Sequence, residues 1–441
     1  MANDMRRIND DMAAYWMPFT PNKAFKANPR LLESADGLYY TSTDGRQVFD
    51  GSSGLWCCAL GHNQPKIVEA IREQAGKLDY ATSFGYGHPA AFELANTLAA
   101  KMPGDLNHIF YTNSGSESVE TALKIALAYH RMRGDGQRVR LIGREGGYHG
   151  VGFGGISVGG MVNNRKFFGA LLPGVDHMPL PYDDRMHRSV GQPEMGAEYA
   201  DELEKILTLH DPSTVAAVIV EPVAGSNGVF VPPKGYLERL REITKKHGIL
   251  LIFDEVITGF GRLGYTTAAE RFGIEPDMIT TAKALNNGTV PMGAVAVHSD
   301  IYDTFMDEGG EGVEFFHGYT YSAHPLAVAA AKATQDLYDE LDANANVRAL
   351  EGYFGEAMHH LAEADVINDV RHLGFMAALT FDQIDGKPMS RSSQIFARAF
   401  ENGLKVRLSS DHVAIAPPII SQKSDIDLIV DRMKKTISDV G

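Results

Sequence analysis

The chain has 441 residues, with 41 Lys and Arg against 56 Asp and Glu, a net charge of −15, and 44% hydrophobic and 22% charged residues. These values exclude a mainly disordered chain, and the acidic balance argues against a nucleic-acid binder, which needs a basic face. Length alone predicts roughly two or three folding units.

The only two cysteines, Cys57 and Cys58, are neighbours. They cannot staple distant segments, and no Cys/His cluster has zinc spacing. A reducing compartment follows, and residues 1–16 are polar with no apolar signal core. The expectation is a cytoplasmic chain with no membrane partner, because its longest apolar runs are strand-sized. Residues 1–14 are assigned no role.

In chain order, residues 31–50 carry two short strand signals around an Asp44-Gly45 turn. Residues 107–112 predict a strand. Residues 116–133 predict a helix, with Val119, Ala122, Leu123, Ala126 and Leu127 at helical spacing. Strands are expected at 138–143, 215–221, 248–254, 278–282 and 292–298, with a helix at 236–247. This alternation predicts an α/β fold with a mainly parallel sheet and helices on both faces. Residues 323–441 mix helices with short strands. The reading is a large unit over 60–320 and a smaller α+β one built from 1–59 and 321–441.

In such sheets ligands sit beyond the carboxyl ends of the strands. After the 107–112 strand comes Asn113-Ser114-Gly115-Ser116, opening the next helix. It reads either as a plain N-cap or as a phosphate cradle of backbone amides. The 248–254 strand ends in Asp254, which at its buried mouth reads as a structural cap or as the partner of a cation. At 4 Å and an effective dielectric near 20 the attraction is ~4 kcal/mol, enough to keep a pyridine-type nitrogen protonated. The next strand leads into Lys283, a surface lysine or one that condenses with an aldehyde and later moves protons. After 138–143, Gly146-Gly147-Tyr148-His149-Gly150 offers an aromatic face for a flat ring. A phosphate cradle, a carboxylate and a lysine on one sheet edge are the three anchors of pyridoxal 5′-phosphate.

A rival motif is Gly155-Ile156-Ser157-Val158-Gly159, a G-x-S-x-G match that would make a serine hydrolase. It lacks a good preceding strand. The same glycine-rich stretch is a loose dinucleotide-binding look-alike with the same defect.

The run Phe253-Asp254-Glu255-Val256-Ile257-Thr258-Gly259-Phe260-Gly261-Arg262, followed by Ala282-Lys283, resembles the class III pyridoxal-phosphate aminotransferases. The chain is most similar to their ω-amino acid (β-alanine):pyruvate and amine transaminases. The likeness extends to Tyr15–Thr20, Ser53–Trp56, Tyr86–Pro89, Met102–His108 and His317–Pro325. It implies fold type I and a homodimer with shared active sites, which could pair into tetramers. It implies that Ser114, Gly115 and Ser116 hold the phosphate and that Thr320 reaches the phosphate bound by the neighbouring subunit. Tyr148 and Val256 would cover the two ring faces. Asp254 would pair with the ring nitrogen, and Lys283 would hold the aldehyde. His149 and Glu221 are expected beside the cofactor.

By the same resemblance Phe19, Trp56, Phe84 and Tyr148 line the substrate pocket, and Arg407 receives the carboxylate of pyruvate. Ornithine- and GABA-type relatives carry a glutamate where Glu221-Pro222-Val223-Ala224-Gly225 is followed by Ser226, and a glutamine where this chain has Ile257. Both departures favour the pyruvate-linked group, with taurine:pyruvate transamination the nearest alternative. Leu285-Asn286-Asn287 departs modestly from that group.

Overall fold

The computed structural model describes residues 12–441. Its strands, in chain order, are β1 Leu32–Asp36, β2 Tyr39–Ser42, β3 Gln47–Asp50, β4 His108–Thr112 and β5 Arg140–Arg144. They continue with β6 Val175–Met178, β7 Val215–Val220, β8 Leu250–Asp254, β9 Met278–Thr281 and β10 Gly293–Val297. The last are β11 Ile367–Leu373, β12 Met376–Phe381, β13 Leu404–Lys405, β14 Arg407–Ser409 and β15 His412–Ile415.

The central sheet has the order β4-β10-β9-β8-β7-β5-β6. β7 and β8 run through its middle, and every residue of both is buried. That is the burial their continuous apolar sequences require. All neighbours pair in parallel except β10, which is antiparallel to both β4 and β9. The carboxyl ends of β4, β5, β7, β8 and β9 therefore share one edge, and β10 enters the sheet from that edge. The helix Gly115–Met132 buries Val119, Ala122, Leu123 and Ala126 in a cluster with Ile219, Ile252 and Val295 of the sheet.

Residues 31–50 form three strands rather than two. A second turn at Asp36-Gly37, with Gly37 at φ +53°, separates β1 from β2. β6 was not anticipated, because its sequence VDHM carries no apolar run. The chain ends meet where β3 pairs in parallel with β13, Phe49 opposite Leu404. A third sheet has the order β11-β12-β15-β14.

Arg262 ties these parts together from a position 1% exposed. Its Nη1 donates to the Pro417 carbonyl at 2.6 Å, and its Nη2 to Ser53 Oγ at 3.0 Å. Burial depresses its pKa to about 10. The Ser53 hydroxyl in turn donates to the Ala416 carbonyl at 2.8 Å.

The G-x-S-x-G motif is not a nucleophile elbow. It lies in the helix Phe153–Val158, where Ser157 is buried and its Oγ donates to the Phe153 carbonyl at 2.5 Å. The glycines just before it are there for close packing. A Cβ on Gly152 would stand 2.3 Å from the Glu120 carboxylate, whose Oε1 accepts the Gly155 amide at 2.8 Å.

Candidate active site

A cavity of about 310 Å³ opens at the shared carboxyl edge. That is the lower end of the range of small-molecule sites. Its wall brings together Ser114, Gly115, Ser116, Tyr148, His149, Glu221, Asp254, Val256 and Lys283. The sheet explains the meeting, since each of these lies at or just beyond the end of β4, β5, β7, β8 or β9.

At one end is the start of the 115–132 helix. Ser114 Oγ accepts the Glu117 amide at 3.2 Å, and Glu117 Oε2 accepts the Asn113 amide at 2.8 Å. This reciprocal cap fixes the chain direction, while the amides of Gly115 and Ser116 have no acceptor within the helix. Gly115 is needed for close approach, because a Cβ there would stand 2.7 Å from a methyl of Val256. Gly150, at φ +87°, likewise lies against Ser116, whose Oγ accepts the Val151 amide at 3.2 Å.

On the floor is Asp254. Its Oδ2 lies 2.8 Å from His149 Nδ1, and its Oδ1 accepts the Val256 amide at 3.1 Å and the Thr280 hydroxyl at 3.2 Å. The other ring nitrogen of His149, Nε2, is buried without a partner. Glu221 Oε1 accepts the Tyr148 amide at 2.9 Å. Burial raises the Glu221 pKa, opposed by His149.

Lys283 follows β9 with φ +49°, a left-handed conformation that a non-glycine residue adopts at a cost. Desolvation lowers its pKa, against the opposing fields of Cys57, Asp254 and Glu221. That direction is toward the neutral amine, the form that attacks a carbonyl carbon and accepts a proton.

Arg407 begins β14 and is half-buried. Burial lowers its pKa, opposed by the field of Tyr148. Among the described residues no carboxylate lies within ion-pair distance of it, which leaves its planar fork of donors available. The Ser226 carbonyl accepts from Ser409 Oγ at 2.5 Å, two residues along the same strand.

Some anticipated residues lie elsewhere in the single chain. Trp56 is 2% exposed and packs in a core cluster with Val223, Ile257 and Met376. Phe19 is 71% and Phe84 59% exposed, and Thr320 is also on the surface. Other residues reach the cavity unanticipated. Cys57, beside Trp56, faces Lys283, and Gly288, Val290, Pro291 and Met292 precede β10. The direction of β10 explains the latter group. A parallel strand would have carried those residues to the opposite edge. Ile257 also lines the cavity, at the position that departs from ornithine-type relatives. Among the described residues no cluster suits a metal ion, and no helix is long and apolar enough to cross a membrane.

Residues 22–437 match the family model of the class-III aminotransferases. The chain belongs to that family. It is similar to an ω-aminotransferase of Caulobacter vibrioides, 56% identical over 432 residues and 98% of each chain. It is similar to a β-alanine–pyruvate aminotransferase of Pseudomonas aeruginosa, 44% identical over 434 residues, 98% of this chain and 97% of the relative. A thermostable (S)-enantioselective ω-transaminase from Thermomicrobium roseum has a solved structure that matches with a TM-score of 0.93. That match is 33% identical and covers 98% of each chain.

Class III aminotransferases use pyridoxal phosphate on fold type I, and the mainly parallel sheet described above is that fold. The cavity suits the cofactor chemically. It offers a desolvated amine for an aldehyde, a carboxylate for a basic ring nitrogen and open helix amides for a phosphate. As an aminotransferase the protein takes an amine donor and a keto acceptor.

Proposed function

We propose that the protein moves an amino group from an ω-amino acid or simple primary amine, β-alanine-like, to pyruvate, giving alanine and an aldehyde or ketone. The observation that carries this reading is Arg407, half-buried beside Tyr148 with no carboxylate of the described residues against it. The names of the similar proteins, a β-alanine–pyruvate aminotransferase among them, support it.

Bound pyridoxal phosphate supplies an aldehyde and a protonated ring that accepts electrons. Lys283 would hold the aldehyde, Asp254 the ring nitrogen, and Ser114, Gly115 and Ser116 the phosphate. Tyr148 and Val256 would cover the ring faces. His149 steadies Asp254 from behind, and Glu221 fixes the backbone of Tyr148.

The rest of the reaction is the work of the chain's own groups. Lys283, whose pKa desolvation lowers, takes the proton from the donor carbon and returns it one position away. The Asp254 carboxylate, fixed by three hydrogen bonds, holds a proton on the basic nitrogen opposite it. Arg407 meets the carboxylate of pyruvate with two parallel hydrogen bonds. A donor without an α-carboxylate relies on apolar contact instead, so one site accepts both.

The working unit in this reading is a homodimer. Trp16, Phe19, Tyr86 and Phe316 expose most of their rings, more apolar surface than a monomer ordinarily leaves to water. The loops that carry Tyr86 and Phe316 are adjoining. Ser83 Oγ donates to the Ser322 carbonyl at 2.9 Å, and Tyr80 donates to the Thr320 carbonyl at 3.0 Å. Thr320, Phe84 and Phe19 would complete the neighbour's site, with Trp56 behind the pocket wall. The units 60–320 and 1–59 with 321–441, and a cytoplasmic setting, belong to the same proposal.

The test is the visible spectrum of the loaded enzyme. The yellow absorbance should fade with β-alanine or (S)-1-phenylethylamine and return with pyruvate. A spectrum that ignores amines, or recovers with 2-oxoglutarate but not pyruvate, overturns the assignment.

A further inference from the structure

A second buried charge cluster lies outside the cavity lining. Arg371, in the middle of β11, is 3% exposed. Its Nη1 pairs with Asp369, and its Nε donates to the Gly228 carbonyl at 2.8 Å. Its Nη2 lies 3.4 Å from His412 Nδ1. The guanidinium carbon also stands 4.5 Å from the centre of the Phe230 ring. Asp369 is held in turn by the Tyr182 hydroxyl at 2.6 Å and the Arg188 amide at 2.7 Å.

Two of these contacts, Gly228 and Phe230, belong to one turn. The turn leaves the cavity just after Glu221 and closes on itself where Ala224 and Phe230 exchange backbone hydrogen bonds of 3.0 and 3.1 Å. Ser226 lies near its tip and accepts from Ser409 Oγ. Ser409 and Arg407 are two residues apart on β14, so their side chains share one face. Gly228 has φ +125°, and a Cβ there would stand 2.6 Å from the His412 ring. His412 faces Ser409 in the register of β14 and β15. The turn is thus wedged between the Arg371–His412 pair and the strand that begins with Arg407.

We infer that Arg371 is a positioning residue for acceptor recognition: through the 224–230 turn and Ser409 it fixes where Arg407 meets the carboxylate of the keto acid. The inference rests on the proposed role of Arg407. Arg371 itself does not line the cavity, and Asp369 already neutralises its charge. Only the forked, planar guanidinium can bond Gly228, pair with Asp369 and stack on Phe230 at once. A lysine keeps the charge and loses that geometry.

The experiment compares wild type, Arg371→Lys, Ser409→Ala, Arg407→Ala and the double variant Arg371→Lys/Arg407→Ala. Each is assayed for kcat/KM with pyruvate and, separately, with 1-phenylethylamine, alongside its thermal midpoint. Arg371→Lys should lower kcat/KM for pyruvate about tenfold and Ser409→Ala about threefold, with the amine value within about twofold in both. In the Arg407→Ala background, Arg371→Lys should cost pyruvate nothing further, because the two residues act in one chain of contacts. Equal losses on both substrates, or additive losses in the double variant, overturn the inference and leave Arg371 a structural residue. Ser409→Ala removes one half-buried hydroxyl, so it carries the test even if Arg371→Lys fails to accumulate. A normal pyruvate response in Arg407→Ala alone would instead sink the reading of Arg407 beneath it.

Discussion

Two flanks of the molecule are finished in different ways. Along the carboxyl edge of the central sheet, Asp254, Glu221 and Ser114 each have hydrogen-bond partners within the chain. Away from that edge, the loops near 84–86 and 316–321 and the segment at 16–19 leave aromatic rings in solvent. A rigid sheet edge suits groups whose chemistry depends on placement to a fraction of an ångström. Loops that expose aromatic rings suit the contact with a second subunit proposed for them above.

Substitutions on the two flanks should therefore fail differently. Lys283→Ala should keep the fold, measured by circular dichroism, and lose turnover by about a thousandfold or more. Asp254→Asn should still bind the cofactor and lose about a hundredfold in kcat. Turnover near wild type in either would show that the sheet edge is not where the chemistry lies. Arg407→Ala should lower kcat/KM for pyruvate by about ten- to a hundredfold while sparing a simple amine. On the open flank, Phe316→Asp changes a ring 93% exposed in the single chain. It should leave each subunit folded but shift sedimentation toward the monomer, with activity falling several-fold on dilution. Full activity in a stable monomer would erase the distinction between the flanks.

The smallest effect concerns the stability of the rigid flank. Glu255 is buried, and burial lifts its pKa from 4.5 to about 7 against the amides of Ala268 and Ala269. The folded chain holds this proton up to about pH 7, the unfolded chain only to about 4.5. Folding thus binds a proton across that window, and stability falls as pH rises through it, by on the order of 3 kcal/mol. Melting midpoints should decline between pH 5 and 8, and Glu255→Gln should flatten the slope. An unchanged slope in that variant would assign the pH dependence to other groups.

Much of the central sheet was legible because its signals are local. The unbroken apolar runs of β7 and β8, and the spacing of Val119, Ala122, Leu123 and Ala126, each permit one structure. β6 was silent because its four residues are half polar and its place comes from pairing with β5. The direction of β10 was also invisible, since an apolar strand reads the same either way. With it went Gly288 and Met292 as cavity residues. Rule-based placement at strand ends brought Asp254 and Lys283 to one edge. No sequence rule told whether Trp56 would face a pocket or a core, because that depends on Val223, Ile257 and Met376 arriving from three other segments.

The links from Arg262 and Ser53 to residues 416 and 417 have a consequence for the order of synthesis. The backbone around Cys57, one side of the cavity, is fastened by Ser53 to the Ala416 carbonyl and by Gly51 to the Ala416 amide. Arg262 seals the same junction through Pro417. A nascent chain that has cleared the ribosome only through residue 400 already owns its lysine and its aspartate. It lacks the clasp that closes the wall beside them. The first part of the cavity to be translated is thus the last to be fixed, and a polypeptide stalled short of Pro417 carries a half-built site that any cofactor would meet from the open side.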